Sequence, residues 1–400
     1  MIGLSRFEVQ DIFREYGVEY RRNHKLPLYQ CKAMSAIENC RTSALGGHID
    51  ECNSCGHIRI SYNSCRNRHC PKCQSLAKEK WLEERKKDLL PVGYFHIVFT
   101  IPSELNAIAL VNSKKVYSLF FKAVSETLLE LAKDTKYLGA EIGFTTILHT
   151  WGQNLMYHPH IHCIVPSGGL SLDNTRWINS KKDFFIPIKV LSRKFRGKFL
   201  AYFKQAYYNN EFKLVNTIEE LSQKHIFLCW INELYSKEWV IYSKAPFKSA
   251  EFVLEYLGRY THRVAISNNR IVNVQNGLVT FKWRDYKDNN KQKFMTLKVD
   301  EFIRRFLMHI LPYNFVKIRH YGIISNRNRN TKLKKCKILL GVYSERNIDF
   351  LKKLSVQELL MKLTGVDLSK CPCCKKGEMN HKEKLEPKIC SPPLNKKQKN

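Results

Sequence analysis

The clustering of cysteines constrains the fold of this chain more than any other feature of its sequence. Seven of the 14 cysteines lie between Cys31 and Cys73, and a second cluster spans Cys371 to Cys390. The amino terminus has no basic start followed by an apolar block, so we expect no signal peptide and a cytoplasmic protein. In a reducing compartment, clustered cysteines hold metal more often than they form disulfides. The sequence therefore predicts metal-stabilised modules.

Two CxxC knuckles, Cys52–Cys55 and Cys70–Cys73, are separated by 14 residues, a spacing that lets four thiolates converge on one zinc ion. Further candidate ligands lie beside them, enough for a second zinc ion, with the pairing left open: Cys40, His48, Cys65 and His69. The loop CRNRHCPKC also contains Arg66 and Arg68. Because a closed thiolate site stabilises a fold rather than performing chemistry, we expect a Zn²⁺ module whose basic loop contacts a DNA backbone.

The charge balance indicates a polyanionic partner. The chain carries 67 Lys and Arg against 36 Asp and Glu, a formal net charge of +31. Nucleic acid is the natural partner for such an excess, and an anionic membrane surface is the weaker alternative. No apolar stretch is long enough to span a bilayer, so we expect no membrane insertion.

The remaining sequence mixes helix and strand patterns without strict βαβ alternation, which predicts the α+β class. The clearest segments are a helix from Ser113 to Lys133 and strands from Gly143 to Trp151 and from His160 to Pro166. With 400 residues the chain has room for two or three domains. We expect a zinc-binding and DNA-binding domain at 1–91 and a second domain at 92–325. For 326–400 we expect a basic linker, a candidate zinc knuckle and a disordered tail.

The segment YHPHIHCIVP places histidines at alternate positions of a predicted strand. His160 and His162 therefore lie on one face and can share a metal ion. In metallohydrolases an aspartate normally follows such a pair closely, but here the first one is Asp173. In nucleases with a tyrosine nucleophile, the two histidines hold Mg²⁺ or Mn²⁺, which polarises a phosphodiester.

Two tyrosines suited to that role lie on a predicted helix that starts near Ser249. Tyr256 and Tyr260 are four residues apart and share one helical face. Arg259 and Arg263 flank them, and phosphodiester chemistry needs cations where charge develops on the phosphoryl oxygens. We therefore interpret the pair as covalent nucleophiles rather than as core aromatics, with both arginines contacting DNA.

These motifs together resemble the transposases of the insertion sequence 91 family, two-tyrosine members of the HUH nucleases that move DNA by a rolling-circle-like route. The resemblance rests on four blocks: GGHIDECNSCGHIRISYNSCRNRHCPKCQ, HTWGQNLMYHPHIHCIVPSGGLS, YLGRYTHRVAISNNR, and DEFIRRFLMHILP with IRHYG. It assigns the metal pair to His160 and His162 and the nucleophiles to Tyr256 and Tyr260.

The resemblance implies a ferredoxin-like antiparallel sheet with the histidines on a central strand. It also implies attack on single-stranded DNA at the element ends, leaving a 5′-phosphotyrosine and a 3′-hydroxyl, and rejoining to target DNA. A third metal ligand is expected. Gln153, at the end of the preceding strand, is preferred to His158, which Pro159 constrains.

The CPCC of Cys371 to Cys374 resembles the terminal knuckle of the family, but only His381 and Cys390 follow it, which argues against a zinc site there. Two other functions remain open. One is a plasmid or phage replication initiator with the same nuclease parts, and the other is a zinc-dependent DNA-binding regulator without enzymatic activity. The zinc cluster and the GRYTHR block favour the transposase. The DNA end, the target site and the oligomeric state stay open.

Overall fold

The structure is a computed structural model that describes residues 7–181, 186–247, 253, 258, 261–286, 288–342 and 354–388. The chain divides into two compact units. Unit 1 draws on Met1–Trp81, His262–Ile310 and Lys353–Asn400, and unit 2 draws on Leu82–Thr261 and Leu311–Lys352. Both units combine helices with antiparallel strands, which confirms the α+β class.

The described helices are α1 (Val9–Asn23), α2 (Leu28–Glu38), α3 (Pro71–Lys86), α4 (Asn106–Val111), α5 (Ser113–Lys133), α6 (Ile188–Tyr208), α7 (Lys224–Ser236), α8 (Val299–Met308), α9 (Lys334–Leu339) and α10 (Val356–Thr364). The described strands are β1 (Gly47–Cys52), β2 (Ile58–Tyr62), β3 (Tyr94–Thr100), β4 (Ala140–Glu141), β5 (Gly143–Trp151), β6 (Tyr157–Pro166), β7 (Gly168–Ser171), β8 (Trp177–Asn179), β9 (Ile241–Phe247), β10 (Ile271–Gln275), β11 (Leu278–Asp285), β12 (Lys291–Lys298), β13 (Ile318–Gly322) and β14 (Met379–Leu385). Among these helices, none is long and apolar enough to cross a membrane.

Unit 2 is built on a five-stranded sheet in the order β13-β5-β6-β3-β9, in which every neighbouring pair is antiparallel. All residues of β5 are buried, as is typical of a strand covered on both faces. Phe99 of β3 packs edge-on against Phe195 of α6, with ring centroids 5.1 Å apart. The Tyr117 hydroxyl of α5 lies 2.5 Å from the Tyr157 hydroxyl of β6. Helices α5 and α6 thus anchor the central strands.

Unit 1 contains two three-stranded antiparallel sheets, β14-β1-β2 and β10-β11-β12. Its apolar contacts include Phe13 of α1, whose ring meets Phe306 of α8 edge-on at 5.2 Å. In the first sheet, β1 lies in the middle, so Gly47 faces Tyr62 on one side and Leu385 on the other. Strand β14 comes from the carboxyl-terminal part of the chain, and the sheet is therefore completed by residues far apart in sequence.

The predicted basic linker after Asn326 is wrong. Residues 326–339 form consecutive helical turns that end in α9. Leu333 and Cys336 are buried in a cluster with Leu90, Leu170 and Ile323. Apolar side chains three residues apart supply one buried helical face, even though Lys and Arg dominate the segment.

The predicted disordered tail after Cys374 is also wrong for the residues described, because Met379–Leu385 form β14. Residues 389–400 lie outside the described residues.

The predicted domains 1–91, 92–325 and 326–400 also differ from the two units. Unit 1 gathers three separate stretches of chain, an arrangement that a contiguous reading of the sequence does not anticipate.

Candidate active site and zinc sites

Four thiols at the start of α3 and in the segments before it converge in unit 1. The sulfur atoms of Cys40, Cys65, Cys70 and Cys73 all lie within 4.8 Å of one another. Two of the separations are 3.5 Å, between Cys40 and Cys73, and 3.6 Å, between Cys65 and Cys73. Four thiolates around a zinc ion with Zn–S bonds of about 2.3 Å lie about 3.8 Å apart. The group therefore fits a closed tetrahedral zinc site.

Contacts among the four thiols shift their pKa values in opposite directions. Hydrogen bonding with Cys65 lowers the pKa of the Cys40 thiol to about 7, whereas hydrogen bonding with Cys40 raises the pKa of the Cys65 and Cys70 thiols. The thiolate is the form of cysteine that binds zinc. Backbone N–H groups donate to the same sulfurs, from Cys65 to Cys40 and from Asn67 to Cys65, each at 3.5 Å.

The spacing of the two amino-terminal knuckles allowed one shared zinc ion, but the structure places them in separate groups. Cys52 and Cys55 do not join Cys70 and Cys73; they lie in a second group with Cys371 and Cys374. The knuckles are close in sequence, but β1 and β2 carry the first one away from α3. His48 lies outside both thiol groups, and its Nε2 is 3.6 Å from the Asp50 carboxylate.

The basic loop between Cys65 and Cys73 is held by short-range contacts. Arg66 is exposed, and its backbone is in the left-handed region, with φ of 53°. Arg68 is half-buried, and this burial lowers the pKa of its guanidinium. The His69 N–H donates to the side-chain oxygen of Asn67 at 2.9 Å. DNA contact by Arg66 and Arg68 stays a prediction.

A third group of metal-ligating side chains lies on the central strands of unit 2. His149 of β5 pairs directly with His160 of β6, and Ile147 pairs with His162. Because alternate residues of a strand share a face, this register brings all three imidazoles together. One nitrogen from each of His149, His160 and His162 lies within 4.8 Å of the others.

The nitrogen positions fit a divalent ion. His162 Nε2 lies 3.1 Å from His149 Nδ1. Neighbouring ligands of an octahedral ion, each bound at about 2.1 Å, are about 3.0 Å apart. His160 Nδ1 lies 2.7 Å from the carbonyl oxygen of His158, so Nε2 of the same ring is the candidate metal-binding nitrogen.

A fourth histidine, His96, contacts the ring nitrogen of His162 that is not directed toward the other two imidazoles. His96 Nε2 of β3 lies 2.9 Å from His162 Nδ1, and the two rings are stacked. Burial, together with the charges of Lys244 and His160, lowers the pKa of His96 to about 3. A neutral His96 can accept the Nδ1 proton of His162, which fixes the tautomer whose Nε2 lone pair can bind a metal.

The sequence predictions cover this site only in part. His160 and His162 lie together on the central strand, as expected. Gln153 lies in the turn between β5 and β6, and its role as third ligand stays a prediction. His149 was missed, although a hairpin with so short a turn between two predicted strands places the end of β5 opposite the histidine strand. His96 gave no local signal, because β3 is distant in sequence.

The predicted nucleophiles Tyr256 and Tyr260, and the predicted DNA contact Arg259, lie outside the described residues. Arg263 is described and half-buried. The pKa of Arg270 is lowered to about 10, mainly by burial and secondly by the positive charge of Arg263. Arg263 therefore contributes to a local concentration of positive charge.

Comparison with known proteins identifies the family. Residues 12–101 match the family described as "Transposase zinc-binding domain", and residues 143–332 match one described as "Putative transposase". The chain is 49% identical over 373 residues to "Putative transposase y4qJ" of Sinorhizobium fredii (strain NBRC 101917 / NGR234), covering 93% of this chain and 94% of the relative. The chain belongs to the insertion sequence 91 family of transposases.

A second relative of this transposase is the transposase for insertion sequence element IS801 of Pseudomonas savastanoi pv. phaseolicola. The two are 28% identical over 301 residues, which cover 72% of this chain and 68% of the relative. No solved structure matches the chain. Membership of the family confirms the resemblance found in the sequence and makes the protein an enzyme that cuts and rejoins DNA. It also supports zinc in the amino-terminal module.

Proposed function

We propose that this transposase nicks and rejoins single-stranded DNA through a covalent 5′-phosphotyrosine and moves its element by a rolling-circle-like route. The observation that carries the proposal is the convergence of His149, His160 and His162 on the two central strands of unit 2. A divalent ion bound to these imidazoles would polarise the scissile phosphodiester.

The donor set bears on which ion is used. All three donors are imidazole nitrogens, whereas Mg²⁺ in proteins is bound mainly through oxygen atoms. Of the two ions expected from the sequence, Mn²⁺ is therefore the better match. Nicking should be faster with Mn²⁺ than with Mg²⁺ at equal concentration.

Tyr256 and Tyr260 supply the nucleophiles in this proposal. The tyrosine hydroxyl loses its proton and its oxygen forms a bond to phosphorus. The 3′-oxygen of the neighbouring nucleotide leaves with the bonding electrons and becomes a free 3′-hydroxyl. Attack of a 3′-hydroxyl on the phosphotyrosine reverses the chemistry and rejoins the strand without a nucleotide cofactor. Arg259 and Arg263 provide positive charge near the phosphoryl oxygens.

Histidine variants test the metal-dependent part. We expect the double variant His160→Ala, His162→Ala to lose nicking of single-stranded element ends by at least about 100-fold, because it removes two of the three imidazoles that would hold the polarising ion. Binding of the same oligonucleotide should persist, because the basic surface is unchanged. His225→Ala, at the exposed start of α7, is the matched control. Wild-type nicking by the double variant would refute the metal assignment.

The third ligand can be settled in the same assay. His149 has a nitrogen 3.1 Å from His162 Nε2, so His149→Ala should reduce nicking and weaken Mn²⁺ binding, while Gln153→Ala should leave both nearly unchanged. The opposite result would establish Gln153 as the ligand, as predicted from the sequence.

A further inference from the structure

We propose that a second zinc ion binds Cys52, Cys55, Cys371 and Cys374 and fastens the carboxyl-terminal part of the chain to the amino-terminal zinc module. All four sulfur atoms lie within 4.8 Å of one another. Cys52 lies 3.7 Å from Cys374, and Cys55 lies 3.7 Å from Cys371. These separations match the edge of about 3.8 Å expected for tetrahedral zinc thiolates.

Only half of the site lies within a family match. The matched spans are residues 12–101 and 143–332, which include the first knuckle but end before Cys371. The inference is also independent of the nuclease chemistry, because none of the histidines or tyrosines enters it.

The two knuckles have the same backbone turn. The Gly56 N–H donates to the Cys52 carbonyl at 3.1 Å, and the Lys375 N–H donates to the Cys371 carbonyl at 3.0 Å. Both donor residues adopt a left-handed conformation, with φ of 70° and 58° respectively. This equivalence indicates two halves of one metal site, since a lone knuckle offers only two of the four ligands that structural zinc requires.

The sulfurs accept hydrogen bonds in the same way in both halves. The Ser54 N–H donates to Cys52 Sγ, and the Cys373 N–H donates to Cys371 Sγ, each at 3.4 Å. The Gly377 N–H donates to Cys374 Sγ at 3.4 Å as well. Donation from backbone N–H groups favours the negatively charged thiolate, which is the metal-binding form.

Direct contacts hold the two halves of the site close together. Glu378 and Asn53 exchange two hydrogen bonds, of 3.1 and 2.9 Å, between the knuckles. A Cβ atom on Gly377 would lie 2.5 Å from Cys52 Sγ, so only glycine fits at this position. The contact continues into the sheet, where β14 pairs with β1 from Cys52↔Met379 to Gly47↔Leu385.

Apolar packing alone does not account for this attachment. Every residue of β14 between its two ends is exposed, and β2 alternates exposed with half-buried residues. A small three-stranded sheet that buries so little needs another source of stability, and in such modules metal binding supplies it. The second zinc ion therefore stabilises this sheet by holding β14 against β1.

Zinc content of the purified full-length protein tests the proposal. We expect two zinc ions per chain by elemental analysis. The variant Cys371→Ser, Cys374→Ser should retain one, and the matched control Cys373→Ser should retain two, because Cys373 is exposed and outside the group. One zinc ion in the wild type, or two in the double variant, would overturn the proposal.

A second measurement covers the possibility that the serine variant misfolds. Cys374→His replaces one zinc ligand by another and should keep two zinc ions. Hydrogen exchange of the β1 and β14 amides should accelerate in the double serine variant but not in Cys374→His or Cys373→Ser. Unchanged protection of β14 in a double variant that has lost one zinc ion would show that the metal does not hold β14 in the sheet.

Discussion

At the scale of single residues, the His162 ring has a neighbour at each of its two nitrogens. Its Nε2 lies 3.1 Å from His149 Nδ1, and its Nδ1 lies 2.9 Å from His96 Nε2. A metal ligand whose second nitrogen is hydrogen-bonded keeps one tautomer and one orientation. In the proposed metal site His96 would be a positioning residue, whereas His162 would contact the ion.

The role of His96 gives a first prediction. His96→Phe removes the acceptor for the His162 proton and should weaken Mn²⁺ binding by about 10- to 100-fold. His96→Gln keeps a side-chain oxygen that can accept this proton and should restore most of the affinity. Calorimetric titration of the purified variants with Mn²⁺ would measure the effect. Equal losses in both variants, in step with their thermal stability, would indicate that His96 serves only packing.

Sequence reasoning reached this site through the period of the β-strand. Alternation alone placed His160 and His162 on one face, and that part could be predicted without a structure. His149 requires the register of the β5–β6 hairpin, and His96 requires the neighbouring position of β3 in the sheet. Both are tertiary facts, which local periodicity does not contain.

At the scale of elements, the segments with strong apolar periodicity were predicted best. Helix α5 and strand β5 have the bounds expected from their patterns, Ser113–Lys133 and Gly143–Trp151. Strand β14 was missed because MNHKEKL has almost no apolar residues. The partner of the Cys52 knuckle was missed because sequence proximity suggested Cys70 and Cys73. Long-range pairing of a polar strand leaves no local pattern to detect.

The loop from Cys65 to Cys73 gives a prediction at this scale. Arg66 is exposed on a loop anchored by the first thiol group, so Arg66→Ala should weaken DNA binding about equally for different sequences. The slope of log affinity against log salt should fall by about 0.7 for single-stranded DNA. Fluorescence anisotropy over a salt series would measure it, with Lys136→Ala as the exposed basic control. Identical slopes for Arg66→Ala and wild type would remove this loop from the DNA interface.

At the scale of the whole molecule, chain order and compact units do not coincide. Unit 1 combines the amino-terminal module with β10 to β12, α8 and the carboxyl-terminal knuckle, while the histidine site lies in unit 2. Among the residues described, the two thiol groups lie in unit 1 and the histidine group lies in unit 2. In our proposals the thiol groups of unit 1 stabilise the fold, and the histidine group of unit 2 binds the catalytic metal ion.

Removal of zinc should affect the two units differently. Every residue of β5 is buried, whereas β14 is exposed between its two ends and, in our proposal, is held by a zinc site. Treatment of the full chain with a zinc chelator should therefore abolish amide protection in β1 and β14 and leave β5 and β6 protected. Hydrogen exchange read by mass spectrometry would show both regions at once. Simultaneous loss of protection in β5 would mean that zinc stabilises the whole chain.

The central claim is covalent attack by a tyrosine on single-stranded DNA, and trapping the adduct tests it most directly. Oligonucleotides that span an element end would be labelled at either terminus, incubated with enzyme and Mn²⁺, and run on denaturing gels. The account predicts that the 3′-label shifts with the protein and the 5′-label is released. At least one of Tyr256→Phe and Tyr260→Phe should still form the adduct, and the double variant should form none. An adduct that persists in the double variant, or one that carries the 5′-label, would contradict the account.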